Sequence, residues 1–353
     1  NRVSVSAETA GGTVTTTSLI DGFGMPVRSI TRGGASGIMT AMTYDALDRP
    51  VKEYRPVART SDTYLDESGV LAAAVSAYGD SRPFTESGYG HSRDTRPEFT
   101  ITAGAAYLDH PARIRYRCNT SAAPYDCRRY RISADRSRVT LDGLYPPGML
   151  DVTEFTDPDG HVTLTFTDWL GHTVLTRVVL PGGNLDTYSI NDGWGNPHVV
   201  LQPEGSARFS ATGTSRVVDN DPVLLDYAFI YRYDKCLRVV EERVPGGGTT
   251  RYGYDMHGRP AWMQDGNLMA SGRYMFTLYD KASRVAVTGT CTSAPSSTVA
   301  MTATYSGVST GLCNTGYTTG VTLPGARILT VNFYDSYDLS LIHISEPTRH
   351  AQI

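Results

Sequence analysis

The sequence has few lysines and no strong charge of either sign. Lysine occurs at only three of the 353 positions, so nearly all positive charge is carried by arginine, and the formal net charge is -4. Binding of nucleic acid depends largely on cationic contacts with phosphates, so this balance argues against a nucleic-acid partner. Long apolar runs are also absent, which argues against a membrane-spanning helix.

Sequence patterns of enzymes and metal proteins are absent as well. The chain has no Gly-x-Ser-x-Gly, no Gly-rich phosphate loop with lysine, and no cysteines at zinc-ligand spacing. Asp157-Pro-Asp-Gly160 and Asp219-Asn-Asp221 hint at calcium. Neither is followed by the acidic ligand of a calcium loop, so we interpret both as turns. We therefore predict a protein that is not an enzyme and uses no cofactor or metal.

Five cysteines suit disulfides better than metal ligation. Cys118 and Cys127 flank a turn-rich segment, and closing a loop of about ten residues would stabilise the fold by roughly 2.5–3 kcal/mol. Cys291 and Cys313 form a second candidate pair. Unpaired thiols in variable loops are the open alternative. Bridges would favour a protein outside the cytoplasm.

Tyrosine, glycine and proline are plentiful, with 22, 35 and 19 residues, which favours many short strands joined by turns. Between positions 227 and 290 one unit occurs three times. Tyr-Asp is followed by two residues, then Gly or a substitute, then Arg. The copies are Tyr233-Asp234 with Arg238, Tyr254-Asp255 with Gly258 and Arg259, and Tyr279-Asp280 with Arg284. Such spacing indicates a repeat architecture.

The physics of this unit is that of a β-hairpin. Aromatic residues alternate before each Asp, which places their rings on one face of a strand. The Asp can accept hydrogen bonds from the turn, and Gly258 can adopt a positive φ angle. We expect the Arg to begin the return strand with its head in water. A single hairpin is only marginally stable, so the units should pair side by side.

Degenerate copies of the unit occur upstream, where Asp and a Gly or its substitute recur between β-branched and aromatic residues. They are Asp21 with Gly24, Tyr44-Asp45 with Arg49, Asp157 with Gly160, Asp168 with Gly171, and Asp192 with Gly195. The predicted fold class is all-β, made of consecutive antiparallel hairpins that form a long curved sheet or part of a β-shell, with a small mixed α/β insertion near the N-terminus.

These residues resemble the YD repeats of bacterial Rhs-type proteins. The resemblance implies an N-terminal to middle fragment of a longer secreted or cell-surface protein. It also implies a shell that encloses a C-terminal toxin or effector, whose partners are its own C-terminal core and toxin domain. A surface adhesin or carbohydrate-binding module is the alternative, since Trp169, Trp194 and Trp262 could stack on sugars.

The expected organisation has five parts. Residues 1–58 carry β repeats, and 59–150 form an insertion with a helix near 66–77. Residues 151–290 form the repeat sheet, and 291–338 a Ser/Thr/Gly-rich loop with the start of another repeat. Residues 339–353 resemble a translated sequencing adapter, so we expect them to be artefactual. An Arg-rich span from 113 to 138 could bind a polyanion such as an acidic glycan, or form a solvated face paired with local Asp.

Overall fold

A computed structural model describes residues 2–9, 12–61, 63–91, 95–209, 211–307 and 312–334, so the expected artefactual tail at 339–353 lies outside the described residues. In chain order the strands are β1 (Arg2–Thr9), β2 (Gly12–Ile20), β3 (Pro26–Arg32), β4 (Gly37–Tyr44), β5 (Pro50–Arg59), β6 (Phe84–Tyr89), β7 (Pro97–Ile101), β8 (Ala112–Cys118), β9 (Arg128–Ile132), β10 (Arg138–Leu144), β11 (Asp151–Thr156), β12 (Val162–Thr167), β13 (Thr173–Val179), β14 (Leu185–Asn191), β15 (Pro197–Leu201), β16 (Ser215–Val217), β17 (Ala228–Tyr233), β18 (Val239–Arg243), β19 (Thr249–Tyr254), β20 (Pro260–Gln264), β21 (Tyr274–Tyr279), β22 (Val285–Cys291), β23 (Thr304–Tyr305), β24 (Tyr317–Thr318) and β25 (Arg327–Val331). The helices are α1 (Glu67–Tyr78), α2 (Pro203–Ala207), α3 (Pro222–Tyr227) and α4 (Gly266–Ala270), with single 3₁₀ turns at Ala105–Tyr107 and Leu312–Asn314.

The chain divides into two compact units. The first contains residues 1–127 and 144–186, and the second contains residues 128–143 and 187–353. In the first unit, β1 to β8 and then β11 to β13 pair in succession, each antiparallel to the next. In the second unit, β14, β15, β17 to β22 and β25 do the same. The prediction of an all-β fold made of consecutive antiparallel hairpins is confirmed.

The core of the first unit follows from alternation along its strands. On β4, Met39 and Ala41 are buried, whereas Ile38 between Gly37 and Met39 is 58% exposed. Successive side chains of a strand point to opposite faces, so one face of the sheet is packed and the other is wet. Helix α1 covers the packed face with Val70 and Ala74, which are one helical turn apart and fully buried.

Helix α1 occupies the stretch that the sequence indicates as helical. It begins at an Asp cap, because the Oδ1 atom of Asp66 accepts a hydrogen bond of 2.8 Å from the Gly69 N–H. It ends at Gly79, whose φ of 63° turns the chain out of the helix while its N–H bonds to the Val75 carbonyl. Both ends are therefore encoded locally.

The second unit has its main core around β21 and β22. Phe276, Leu278 and Val287 are fully buried there. Met301 and Tyr317 join the same core, although they come from the segment that was expected to be a polar loop. This part of the chain contains β23, β24 and a 3₁₀ turn, so it differs from the expectation: scattered apolar residues anchor a Ser/Thr-rich stretch to the sheet.

Residues 59–150, which we expect to form a small mixed α/β insertion, contain helix α1 and strands β6 to β10. Strands β6, β7 and β8 continue the antiparallel ladder of the first unit through this region. Strands β9 and β10 leave it and form a separate three-stranded sheet with β16. The ladder can continue here without the Tyr-Asp signal because strand pairing needs only alternating side chains and free backbone groups.

Candidate functional site: the Asp turns

The repeated feature of both units is a turn that begins with an aspartate, here called an Asp turn. In the turn at Asp234, Oδ1 accepts hydrogen bonds from the N–H groups of Cys236 and Arg238, at 2.8 and 3.0 Å. The Asp234 N–H bonds to the Arg238 carbonyl at 2.9 Å, and the Leu237 N–H returns to the Asp234 carbonyl at 3.0 Å. The Asp234 side chain thus satisfies two backbone N–H groups of the turn, and backbone carbonyls satisfy two others.

The same arrangement occurs at every copy that the sequence singled out. In each, Oδ1 of the Asp accepts from the N–H groups two and four residues later. The turns begin at Asp21, Asp45, Asp157, Asp168, Asp192, Asp234, Asp255 and Asp280. The predicted turns at these positions are therefore present as turns.

The fourth residue of each Asp turn has a positive φ angle. Glycine occupies this position in most turns, namely Gly24, Gly160, Gly171, Gly195 and Gly258. Asp48, Leu237 and Ser283 occupy it in the others, with φ between 58° and 61°. A left-handed conformation costs a residue with a Cβ roughly 1–2 kcal/mol, so these three turns hold a small strain that the hydrogen bonds offset.

In six of the eight Asp turns, the fifth residue is an arginine or histidine whose side chain contacts Oδ2 of the aspartate. Arginine does this at Asp45, Asp234, Asp255 and Asp280, with N–O distances of 2.8, 2.6, 2.7 and 2.7 Å. His161 and His172 take the same place at Asp157 and Asp168. The expectation that the arginine head lies in water is wrong, because Oδ2 of the aspartate is left free by the turn and attracts the guanidinium.

The arginine also reaches the next tyrosine of the series. Its Cζ lies 4.2–4.6 Å from the ring centroid in the pairs Arg49–Tyr89, Arg238–Tyr254, Arg259–Tyr279 and Arg284–Tyr334. A cation over an aromatic face at this distance is attractive. Each arginine therefore joins the carboxylate of its own hairpin to the ring of the following hairpin.

The tyrosine hydroxyl returns a hydrogen bond to the preceding hairpin. In each case it donates to the carbonyl of the residue five positions after the earlier Asp, at 2.8–3.0 Å. The pairs are Tyr44–Pro26, Tyr89–Pro50, Tyr233–Pro197, Tyr254–Val239, Tyr279–Pro260 and Tyr334–Val285. We call the combined Asp–Arg–Tyr arrangement, with this hydroxyl contact, the inter-hairpin link.

The protonation of the link follows from its contacts. At Asp255, burial alone would raise the carboxyl pKa, but hydrogen bonds from the Arg259 side chain and backbone and from the Met301 N–H lower it. At Asp234 and Asp280, hydrogen bonds from Arg238 and Arg284 likewise outweigh burial and lower the pKa. Burial raises the pKa of the Tyr254 and Tyr279 hydroxyls. The aspartates are thus charged and the tyrosines neutral across the physiological range.

The topology places most Asp turns on a common edge of each ladder. In an antiparallel meander, successive connections alternate between the two edges. In the second unit, the turns at Asp192, Asp234, Asp255 and Asp280 are every second connection between successive strands of the meander. All four therefore lie on one edge. In the first unit, Asp21, Asp45 and Asp168 share one edge and Asp157 lies on the opposite edge.

Two residues that contact the links had weak or incomplete sequence signals. Tyr89 is followed by Gly90 rather than Asp, yet its ring and hydroxyl make the same contacts as the other tyrosines. Met301 donates its N–H to Oδ2 of Asp255 at 3.2 Å, from a segment 46 residues downstream. Neither contact is marked by a local sequence pattern. The role of Tyr89 could have been inferred only from its position at the end of an alternating strand.

The Asp192 turn departs from the others. Asn196 stands where the arginine would be, and its amide lies 3.4 Å from Oδ2 of Asp192. His198 instead approaches this oxygen with Nε2 at 3.1 Å, while its Nδ1 faces the Tyr231 carbonyl at 3.2 Å. Arg136, from the β9–β10 turn, lies 3.5 Å from the same carboxylate. A substitution in the repeat is therefore compensated by two residues from elsewhere in the unit.

Neither predicted disulfide is formed. Cys118 is an exposed free thiol at the end of β8, whereas Cys127 is buried and burial raises the pKa of its thiol. Cys291 is a buried free thiol that contacts the Ser293 carbonyl, and Cys313 is exposed. The members of each pair occupy different environments, one in a core and one at the surface, which sequence spacing does not reveal.

The Arg-rich span is largely paired with local acids. Arg115 and Arg117 lie 3.2 and 3.3 Å from Glu154, and Arg129 and Arg131 lie 2.8 and 2.6 Å from Asp142. This arrangement favours a paired face over a strip of open cations. Among the described residues, Asp157, Asp159 and His161 bring three ligand-type atoms within 4.8 Å, but two of them already bond to each other in an Asp turn.

The three tryptophans occupy different environments. Trp262 is half-buried in β20 and makes an edge-to-face contact with Tyr274, with ring centroids 5.3 Å apart. Trp169 and Trp194 lie in Asp turns, where their side chains are 84% and 76% exposed. The two turn indoles, rather than Trp262, are therefore the surfaces available to a ligand. No helix among the described residues has the length and apolar character needed to cross a membrane.

The comparisons with known proteins concern the family of the N-terminal part and the fold of the whole. Residues 1–120 match a family described as a domain of unknown function, DUF6443. No curated protein sequence matches the chain. The fold is similar to a crystal structure of TcdB2-TccC3, at 13% identity and a TM-score of 0.51, over 92% of this chain and 14% of that chain.

Two further structures show a weaker likeness. A TcdB2-TccC3-TEV crystal structure matches at 12% identity, 92% and 13% coverage and a TM-score of 0.48. A Photorhabdus luminescens Tc holotoxin pore matches at 14% identity, 79% and 12% coverage and a TM-score of 0.47. The chain spans about one seventh of the TcdB2-TccC3 structure. What the match to TcdB2-TccC3 establishes is a shared all-β fold.

Proposed function

We propose that this chain is a non-catalytic segment of an Rhs-type β-sheet shell that encloses a C-terminal toxin or effector. The observation that carries the proposal is the inter-hairpin link, which among the described residues joins one pair of hairpins in the first unit and three successive pairs in the second. Support also comes from the fold shared with TcdB2-TccC3 and from the sequence resemblance to Rhs-type proteins. The shell role is the simplest use of a ladder in which such links fasten neighbouring hairpins to each other.

The link makes the wall stiffer than backbone pairing alone would. A cation–π contact contributes about 0.5–2 kcal/mol, and the tyrosine hydrogen bond contributes about 1 kcal/mol. Each junction that carries the link therefore gains on the order of 2 kcal/mol from side chains. A wall must resist local opening, because a toxin domain confined behind it would otherwise reach solvent or proteases. Confinement requires no chemical step from the wall itself.

The chemistry of the described residues supports a non-catalytic role. The turn carboxylates are occupied by backbone donors and by arginine or histidine. A general acid or base needs a carboxyl or imidazole directed at a substrate, rather than one committed to a turn. In this proposal the partners are the C-terminal core and toxin domain of the same protein, and the complete protein is secreted or displayed at the cell surface.

Protease protection of the full-length gene product tests the proposal. The toxin domain should resist protease in the intact protein and be cut rapidly when expressed alone. Arg238→Ala combined with Arg259→Ala breaks two adjacent links, so cleavage of the enclosed domain should become faster. Arg131→Ala, which removes an exposed arginine outside the links, is the matched control. Equal cleavage rates in the intact protein and the isolated domain would contradict the shell role.

A surface module that binds carbohydrate is the second candidate. The exposed indoles of Trp169 and Trp194 favour it, because tryptophan combines a large apolar ring with a polar N–H and is enriched at binding interfaces. The downstream gene sequence discriminates between the two functions. A core region followed by a short unrelated domain favours the shell, and a wall-anchoring segment favours the adhesin.

A further inference from the structure

A cleft of about 590 Å³ lies beside the Asp192 turn in the second unit. The β9–β10 turn forms one side of the cleft, and the Asp192 turn forms the other. Its main side chains are those of Tyr130, Arg131, Arg136, Asn191, Asp192 and Trp194. A volume of several hundred Å³ with a few polar groups is the usual size of a small-ligand site.

Trp194 provides an apolar wall that the fold itself does not cover. Its side chain is 76% exposed, although indole is among the most costly side chains to leave in water. The backbone of Trp194 is held in place, because its N–H donates to Oδ1 of Asp192 at 2.9 Å. The ring is therefore displayed from a fixed turn, next to a cleft, as a platform for a flat apolar surface.

The floor of the cleft is also fixed. Tyr130 is 8% exposed and makes edge-to-face contacts with Tyr188 and Phe209, with ring centroids 4.8 and 5.3 Å apart. Asp192 is held by its own turn and by His198. A ligand would therefore meet groups whose positions are set before binding, which reduces the entropy lost on association.

Two arginines supply donors at the rim. The guanidinium of Arg136 lies 3.5 Å from Oδ2 of Asp192, and that of Arg131 lies 2.6 Å from Asp142. A guanidinium has five N–H donors, so these single contacts leave most of them available for an anionic group. Both side chains are partly exposed, at 41% and 64%.

We propose that this cleft binds an acidic saccharide. The C–H face of a sugar ring would stack on Trp194, one of its hydroxyls would bond to Asn191, and its carboxylate would pair with Arg136 or Arg131. Adenosine monophosphate, which also combines a flat ring with an anionic group, is the competing ligand that the test includes. The site does not depend on the shell role, since it requires only the second unit.

A glycan array probed with the protein, carrying uronate-containing, sialylated and neutral oligosaccharides, tests the proposal. We expect binding to at least one acidic class, and calorimetric titration with that oligosaccharide should show at least tenfold weaker binding for Trp194→Ala. Phe23→Ala is the matched control, because Phe23 is an exposed aromatic residue of the Asp21 turn and does not line this cleft. Its affinity should equal that of the unaltered protein.

Arg136→Gln should weaken binding of the acidic oligosaccharide about tenfold, and Arg136→Lys should restore part of the affinity by keeping the charge. Circular dichroism of each variant checks that the fold is retained. The proposal is overturned if no glycan binds, if Trp194→Ala binds as well as the unaltered protein, or if neutral glycans bind as tightly as acidic ones. Tighter binding of adenosine monophosphate than of any glycan would also overturn it.

Discussion

Arg238 lies over the ring of Tyr254, with its Cζ 4.4 Å from the ring centroid. Arg238 closes the turn of one hairpin, and Tyr254 ends the first strand of the next. The two residues are 16 positions apart and lie on hairpins joined by the β18–β19 pairing. The residues of one repeat therefore also contact the next repeat. A continuous wall of hairpins requires such contacts between neighbouring repeats.

The buried aspartate at the centre of the second unit should matter more than its equivalents. Asp255 is fully buried at its side chain and accepts hydrogen bonds from the turn, from Arg259 and from the Met301 N–H. Asp255→Ala leaves the half-buried Arg259 guanidinium and the buried Met301 N–H without their carboxylate partner, so we expect a loss of about 3 kcal/mol in the free energy of unfolding. Urea denaturation followed by circular dichroism measures it.

Asp280→Ala is the matched control for that substitution. Asp280 makes the same turn and ion pair, but its side chain is 15% exposed, so water can replace part of what is lost. We expect a loss of about 1–2 kcal/mol. Equal losses for the two variants would show that burial and the Met301 contact do not distinguish Asp255.

The tyrosine hydroxyl of the link should contribute independently of its ring. Tyr279→Phe keeps the ring under Arg259 but removes the 2.8 Å hydrogen bond to the Pro260 carbonyl. We expect a loss of about 1 kcal/mol in the free energy of unfolding. Tyr305→Phe, at a ring that is 49% exposed, should change it by less than about 0.5 kcal/mol. A Tyr279→Phe variant as stable as the unaltered protein would show that the hydroxyl does not contribute to the stability of the link.

Leu237 offers a route to a more stable turn. It occupies the fourth position of its Asp turn with φ of 61°, and its side chain is 46% exposed. Asn tolerates this conformation better than Leu, so Leu237→Asn should raise the free energy of unfolding by about 0.5–1 kcal/mol. Leu237→Ala retains the strain and should give no gain. Thermal unfolding of the three proteins decides the matter, and a lower midpoint for Leu237→Asn would contradict the strain argument.

The turns could be predicted from the sequence because their determinants lie within five residues. Asp234 and the positive φ position at Leu237 belong to one short segment, and the alternation of aromatic residues identifies the strand before it. The arginine contact with the next tyrosine could not be predicted this way. It joins residues 16 apart at Arg238 and 40 apart at Arg49, so it depends on which strands become neighbours.

The same physical limit explains the other differences. Cys118 and Cys127 are close in sequence, but the fold directs one to the surface and the other into a core. Met301 belongs to a Ser/Thr-rich stretch whose average polarity indicates a loop. Met301 is nevertheless buried, and its N–H donates to the distant Asp255 carboxylate. Composition and spacing describe a segment, whereas burial depends on what packs against it.

The Asp turns make acid stability a further measurable property. Asp45 and Asp157 have pKa values lowered chiefly by hydrogen bonds from the turn backbone, below the ordinary value of 3.8. At Asp255, burial acts against ionisation, yet hydrogen bonds from Arg259 and Met301 still lower the pKa. A carboxyl whose pKa is lower in the folded state stabilises the fold fully above its unfolded value. That stabilisation is lost as the pH falls through the folded value.

We therefore expect the free energy of unfolding to decrease as the pH falls below about 4, because these carboxyls bind protons more readily in the unfolded chain than in the folded one. Asp255→Asn keeps an oxygen in the turn but cannot bind the proton. Its free energy of unfolding should therefore fall less steeply below pH 4, because the unfolded variant takes up about one proton fewer than the unaltered protein. Urea denaturation of both proteins between pH 2 and 7 measures the two slopes. Parallel profiles would mean that the Asp255 carboxyl has the same pKa in the folded and unfolded chain.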